Sequence, residues 1–137
     1  MLGLAEYIAN WSKDPHRRVG AVIADKANRV ISLGYNGFPR GVHDALLPKE
    51  EKLQRTIHAE VNAILHAKQD LSDCTLYIYP CFPCSQCAAL IIQSGICRVV
   101  CNDIGTNPKW NTTTAIDLFN EANVHVEIYT GESFTIY

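Results

Sequence analysis

The sequence has no apolar run approaching the roughly 18 residues that a membrane span requires, so no transmembrane segment is expected. Its opening, Met1-Leu2-Gly3-Leu4-Ala5-Glu6, carries an early acid and no basic stretch, unlike a signal or transit peptide, and a cytoplasmic location is the expectation. An excess of positive charge is missing too. The net charge is −2 at pH 7, which argues against a broad electropositive footprint for long nucleic acid, whereas a small anion needs only a few cations. There is no internal repeat and no low-complexity tract. The length of 137 residues is that of one domain, so residues 1–137 are expected to form a single domain. What is present, 47% hydrophobic against 19% charged residues, is the balance of an ordinary globular chain.

Apolar periodicity sets the expected elements. Leu4, Ile8 and Trp11 form a helical stripe, stopped by Ser12-Lys13-Asp14-Pro15 because proline disfavours helical geometry in the residue before it. Two apolar runs, 19–24 and 29–35, read as a hairpin. From Asn36 through Gln54 the chain is turn-rich and then polar without a strong period, and reads as a long loop. A helix follows from His58. A β-rich strand, 74–79, ends at Pro80. Pro83 suits a first helical turn, with Cys84, Cys87, Leu90 and Ile91 continuing that helix. A strand at 96–101, a helix around Ala115, Leu118 and Phe119, and a strand at 124–129 complete the order. This predicts an α/β fold, a three-layer α/β/α sandwich with a mixed sheet of about five strands.

The chemistry concentrates in two short stretches. In Thr56-Ile57-His58-Ala59-Glu60 an imidazole and a carboxylate lie two residues apart at a helix start. Alone such a pair is weak, and a packed His beside an exposed Glu is its ordinary reading. Downstream, Pro83-Cys84-Ser85-Gln86-Cys87 places two thiols three residues apart on one helical face, near an N-terminus whose partial positive charge favours thiolates. Disulfides are disfavoured in a cytosolic chain of this size, so the six cysteines point to metal or redox chemistry. His58, Cys84 and Cys87 supply three ligands to one Zn2+, leaving a position for water. Two other readings stay open: a structural zinc closed by Cys81, Cys74, Cys97, Cys101, His43, His66 or His16, and a redox Cys-x-x-Cys. Neither gives Glu60 a task, whereas in an open site Glu60 is placed to work on the water.

His-x-Glu followed by Pro-Cys-x-x-Cys is the zinc deaminase signature. The resemblance covers most of the chain and reaches the deoxycytidylate (dCMP) deaminases, within the cytidine deaminase superfamily. It is carried by Ser12-Lys13-Asp14-Pro15, 18–23, Gly34-Tyr35-Asn36-Gly37-Phe38-Pro39-Arg40-Gly41, 58–64 and 90–96. It implies a cytidine deaminase-like fold, hydrolysis of dCMP to dUMP and ammonia, and Glu60 as the proton carrier beside one catalytic zinc. It also implies a homo-oligomer, a hexamer rather than a dimer, activated by dCTP and inhibited by dTTP at a separate site that uses Mg2+. On the same ground Tyr35, Asn36 and Gly37 are carried over as nucleotide-binding, with Asn36 serving either effector or substrate sugar. Some relatives carry an insertion with a second zinc where this chain has the short charged run 42–56, so one zinc is expected.

Independently of the resemblance, Lys13, Arg17, Arg18 and Arg40 cluster on loops where a phosphate could find them, although solvated loop charges are the alternative for each. Phe82 and Trp110 are candidates to stack on a base, or else to pack in the core. Another cytidine or adenosine deaminase is the rival enzyme, and a non-catalytic zinc module the rival outside enzymes.

Overall fold

The computed structural model describes residues 1–43, 46–105, 111–130 and the backbone of 134–136. Its elements are α1 (Leu2–Ala9), β1 (Gly20–Ala24), β2 (Val30–Tyr35), α2 (Lys49–Arg55), α3 (Ala59–Ala67), β3 (Thr75–Cys81), α4 (Ser85–Gln93), β4 (Arg98–Asp103), α5 (Thr112–Glu121), β5 (His125–Tyr129) and β6 (Phe134–Ile136). The strands form one mixed sheet in the order β2-β1-β3-β4-β5-β6. The hairpin β1–β2 is antiparallel as expected, β1 is antiparallel to β3, and β3, β4 and β5 run parallel.

Alternation along the strands divides the core in two. Ala21, Ile23, Leu76, Ile78, Val99, Cys101, Val126 and Ile128 face one way and meet Ala59, Ala63, Cys87, Ala88, Ile91, Ala115 and Phe119 of α3, α4 and α5. Val22, Ala24, Tyr77 and Val100 face the other way and meet α1 through Ala5, Leu2 and Leu4. The three-layer α/β/α sandwich is therefore as the sequence predicts.

Four details differ from expectation. The five expected strands are joined by β6, paired antiparallel to β5. Residues 49–55, expected as loop, form a two-turn helix. Its acids Glu50 and Glu51 lie in the first turn and its bases Lys52 and Arg55 in the last, the arrangement that complements a helix dipole, with Arg55 bonding Glu51 at 3.0 Å. Strand β3 does not stop at Pro80 but runs to Cys81, because the β3–β4 register shifts between Ile78 and Cys81 and a bulge tolerates a residue without an N–H. Finally, α1 ends at Ala9, so Trp11 leaves the helical stripe and is 54% exposed.

Pairing fixes which sheet edge carries the loops. Gly20 opposes both Tyr35 and Tyr79, so the start of β1 and the ends of β2 and β3 lie together. The end of β4 joins them through the bond from Phe82 N–H to Asp103 O at 2.8 Å.

Candidate metal centre

His58 is the N-cap of α3 and Cys84 the N-cap of α4. Different devices bring the two helix starts to the same edge. Residues 75–85 follow the usual strand-to-helix order, but α3 follows α2, not a strand. The entry to α3 is pinned by an isolated bridge in which Gly37 N–H donates to Ile57 O at 3.1 Å and Ile57 N–H donates to Gly37 O at 2.8 Å. That bridge fixes the backbone beside His58 against the end of β2. Pro83 and Cys84 both precede the first helical residue, Ser85, so neither lies within the first turn as the sequence suggested. The Cys84 sulfur instead accepts the Cys87 N–H at 3.5 Å, satisfying one of the N–H groups that every helix start leaves open.

His58 Nδ1 lies 3.2 Å from Cys87 Sγ and 3.7 Å from Cys84 Sγ. With zinc–nitrogen and zinc–sulfur bonds of about 2.1 and 2.3 Å, a tetrahedral N–S edge is about 3.6 Å. The two separations fall on either side of that edge, so the donor set fits zinc without rearrangement of the backbone. Among the described residues these three are the group whose donors converge, all within 4.8 Å of one another. The other residues weighed as a fourth ligand are not in that group. Cys74 and Cys97 meet at the opposite end of the strands, where Cys97 N–H bonds Cys74 O at 3.0 Å. The Cys101 thiol donates to Asp103 O at 3.6 Å.

The electrostatics suit a metal. A hydrogen bond from the Cys87 thiol, with further bonds from His58 and the Cys87 N–H, holds Cys84 as a thiolate with a pKa of about 4. Cys87 keeps its proton more firmly because it donates to Cys84 and is buried. His58 is pushed up by its hydrogen bond to Cys84, against the effect of burial. Glu60 is only 5% exposed, and burial raises its pKa while the neighbouring His58 opposes that rise. Burial of this kind favours the protonated form of a carboxyl. Glu60 also hydrogen-bonds Cys87, so it stands against the donor set.

A cavity of about 1240 Å³ opens from this centre, with His58 and Cys84 in its wall. Of the residues anticipated from sequence, Lys13, Arg17, Tyr35, Asn36 and Gly37 also line it, whereas Arg18 and Arg40 do not. Arg18 Nε donates to Asp14 O at 3.5 Å, and Arg40 lies 3.4 Å from His66 Nε2 on the outer side of α3. Phe82 does not stack in the cavity. It is 3% exposed and packs edge-on against Phe119 at 5.7 Å, which makes it a core residue. Trp110 lies outside the described residues. Sequence reasoning missed Trp11, Lys49 and Lys52 as lining residues. The signal for the two lysines was the acid-first, base-last pattern of 49–55; for Trp11 the helix end at Asn10 gave none. Asn36 is buried, and both ends of its carboxamide bond backbone: Nδ2 donates to Arg17 O at 2.8 Å and Oδ1 accepts from Val19 N–H at 2.9 Å.

Comparison with known proteins follows the same lines. The family model of the cytidine and deoxycytidylate deaminase zinc-binding region matches residues 1–103. An uncharacterised deaminase from the luxG 3' region of Aliivibrio fischeri is 43% identical over 129 residues, covering 90% of this chain and 86% of its own. Human deoxycytidylate deaminase is 39% identical over 132 residues, covering 90% of this chain and 74% of its own. The dCMP deaminase of cyanophage S-TIM5, solved with dCMP and dUMP, superposes with a TM-score of 0.79 at 24% identity over 93% of each chain, a likeness of fold.

Proposed function

The chain belongs to the cytidine and deoxycytidylate deaminase family, and from that premise we propose that it hydrolyses dCMP to dUMP and ammonia. In this reading residues 1–137 are one deaminase domain, His58, Cys84 and Cys87 hold one Zn2+, and Glu60 carries the protons. One observation carries the proposal: three donors converge at tetrahedral spacing with a buried, raised-pKa carboxyl against them. A structural zinc or a redox pair would use the thiols and leave Glu60 buried to no purpose, at the cost that burying a carboxyl carries.

When bound, zinc supplies Lewis acidity that makes water acidic enough to act as a nucleophile near neutral pH. Glu60 takes a proton from the attacking water and delivers it to N3 of the cytosine ring. A new C4–O bond forms, the C4–N bond breaks, and Glu60 passes the second proton to the departing amino group, which leaves as ammonia.

The cavity wall supports a small nucleotide and not a nucleic-acid chain as partner. Relatives named deoxycytidylate deaminase at 36–43% identity favour dCMP over other amino-substituted bases. The proposal includes activation by dCTP and inhibition by dTTP with Mg2+ at a separate site, on the ground of the family resemblance carried by Gly34-Tyr35-Asn36-Gly37. It includes a homo-oligomer, a hexamer before a dimer, supported by Tyr7, Trp11, Leu33 and Tyr35 left exposed. A cytoplasmic location completes it; among the described residues no helix is long and apolar enough to cross a membrane.

The test is to load the protein with zinc, confirm the metal, and follow ultraviolet absorbance with dCMP, CMP, deoxycytidine and dCTP, adding dCTP or dTTP with Mg2+ to the dCMP arm. Cytosine absorbance should fall fastest with dCMP and respond to both triphosphates. No loss with dCMP sinks the substrate, and hyperbolic rates indifferent to both triphosphates sink the regulation.

A further inference from the structure

We infer that Arg17 is the specificity-determining contact for the 5'-phosphate of the substrate and that Asn36 is a positioning residue that serves the substrate through Arg17. This rests on the proposed nucleotide substrate. Among the described lining residues the cavity has four fixed cations, Lys13, Arg17, Lys49 and Lys52, against one acid, Asp14, in a chain whose net charge is −2. The acid is already engaged: Asp14 Oδ1 accepts from His16 N–H at 2.8 Å and from Arg17 N–H at 3.0 Å. The field in the cavity therefore favours an anion.

Arg17 is the cation whose backbone is clamped. Its N–H is held by Asp14 and its carbonyl by Asn36 Nδ2, while the other end of the Asn36 carboxamide holds Val19. The Asn36 carbonyl in turn accepts from Ser12 Oγ at 2.8 Å, and Ser12 Oγ accepts Asp14 N–H at 3.2 Å. With Asn36 N–H donating to Val19 O at 3.3 Å, the loop from Ser12 to Val19 is closed on Asn36 by four hydrogen bonds. Half-buried in the wall, the Arg17 guanidinium reaches the Cys81 thiol and lies near enough to His58 to act on it electrostatically. The guanidinium fork matches a phosphate dianion in charge and geometry.

The experiment compares Arg17→Gln, Asn36→Ala and the double variant on dCMP and deoxycytidine. Arg17→Gln should raise KM for dCMP at least tenfold with kcat within about threefold, and the loss with deoxycytidine should be at least tenfold smaller. Asn36→Ala should lower the preference for dCMP in the same direction, yet add less than threefold to the loss of preference in the Arg17→Gln background. If Asn36→Ala weakens both substrates equally, or its loss of preference adds in full to that of Arg17→Gln, Asn36 touches the substrate directly and the inference is wrong. Should Asn36→Ala not fold, Asn36→Asp keeps the acceptor for Val19, removes the donor to Arg17, and carries the same expectation. Calorimetric binding of dUMP against deoxyuridine reads the phosphate contact without turnover. Arg17-dependent dUMP binding in a protein that does not turn over dCMP would refute the proposed function and leave this inference standing; dCMP turnover with dUMP binding indifferent to Arg17 would refute this inference alone.

Discussion

Gly34→Ala should disable the metal centre from a position outside it. Gly34 lies on β2 directly beneath α3, and a methyl there would overlap the Ala59 carbonyl oxygen and stand 2.5 Å from Ala63 N and 3.0 Å from Ala63 Cα. These are backbone atoms, so no side chain can turn aside. To restore ordinary contact at about 3.5 Å from the nitrogen, α3 must retreat by roughly 1 Å. His58 is the N-cap of that helix, and zinc ligands hold their distances to within about 0.2 Å, so the retreat is several times the tolerance of the site. Overpacking against backbone costs about 3 kcal/mol, which for a chain of this size lowers Tm by roughly 10 °C. Gly20→Ala is the control. Its methyl would overlap the Ala5 carbonyl and approach Ala9 N at 2.7 Å, a comparable clash, but against α1 on the opposite face of the sheet. Both variants should melt lower, while Gly34→Ala alone should lose at least tenfold in zinc affinity and about a hundredfold in kcat/KM. Thermal unfolding, zinc content after dialysis and the absorbance assay measure all three quantities. Equal zinc retention by the two variants would refute the reasoning that the seat of α3 fixes His58.

Glu60→Ala should keep about one zinc per chain and lose at least a thousandfold in kcat, the range of a lost proton carrier, whereas His58→Ala should lose the metal itself; turnover by Glu60→Ala within tenfold of wild type would remove Glu60 from its role. The pair Arg98–Glu127 offers a pH test away from the site. Arg98 bonds both carboxylate oxygens of Glu127, at 3.0 and 2.7 Å, and the hydrogen bond from Arg98 holds the Glu127 carboxyl below the usual carboxylate range. A lowered folded-state pKa stabilises above the unfolded value and is lost as pH falls through the folded one. With Arg98 about a third exposed, Glu127→Gln should cost about 1 kcal/mol at pH 7. Denaturant melts at stepwise lower pH should show that difference closing below pH 4; a difference unchanged down to pH 2 would mean that the pair contributes through packing.

Local spacing made the proposed chemistry legible, because the candidate zinc ligands and proton carrier lie close in sequence within two segments. The Cys84-x-x-Cys87 spacing brings two thiols to one helix start, Cys84 as N-cap and Cys87 inside the first turn, and His58 with Glu60 marks another. Long-range pairing decides the rest. Phe82 and Trp11 are placed by such contacts: of the two readings open for Phe82 the core holds, where it meets Phe119 across 37 residues of sequence, and Trp11 is turned out by a helix that ends two residues earlier. Gly37 and Asn36, expected from sequence as nucleotide contacts, also make long-range contacts that no spacing rule contains. Gly37 bridges to Ile57 beside His58, and Asn36 closes the loop that carries Arg17. Both act across the gap between the metal centre and the loops at the cavity rim. The chemistry therefore resides in helix starts that a spacing rule can find. In the proposed reading the choice of substrate rests on segments 12–19 and 49–56, whose positions depend on contacts that no spacing rule contains. Substitutions at Asn36 or Gly37 should accordingly shift substrate preference before they abolish deamination, while substitutions at His58, Cys84 or Cys87 should abolish it for every substrate alike.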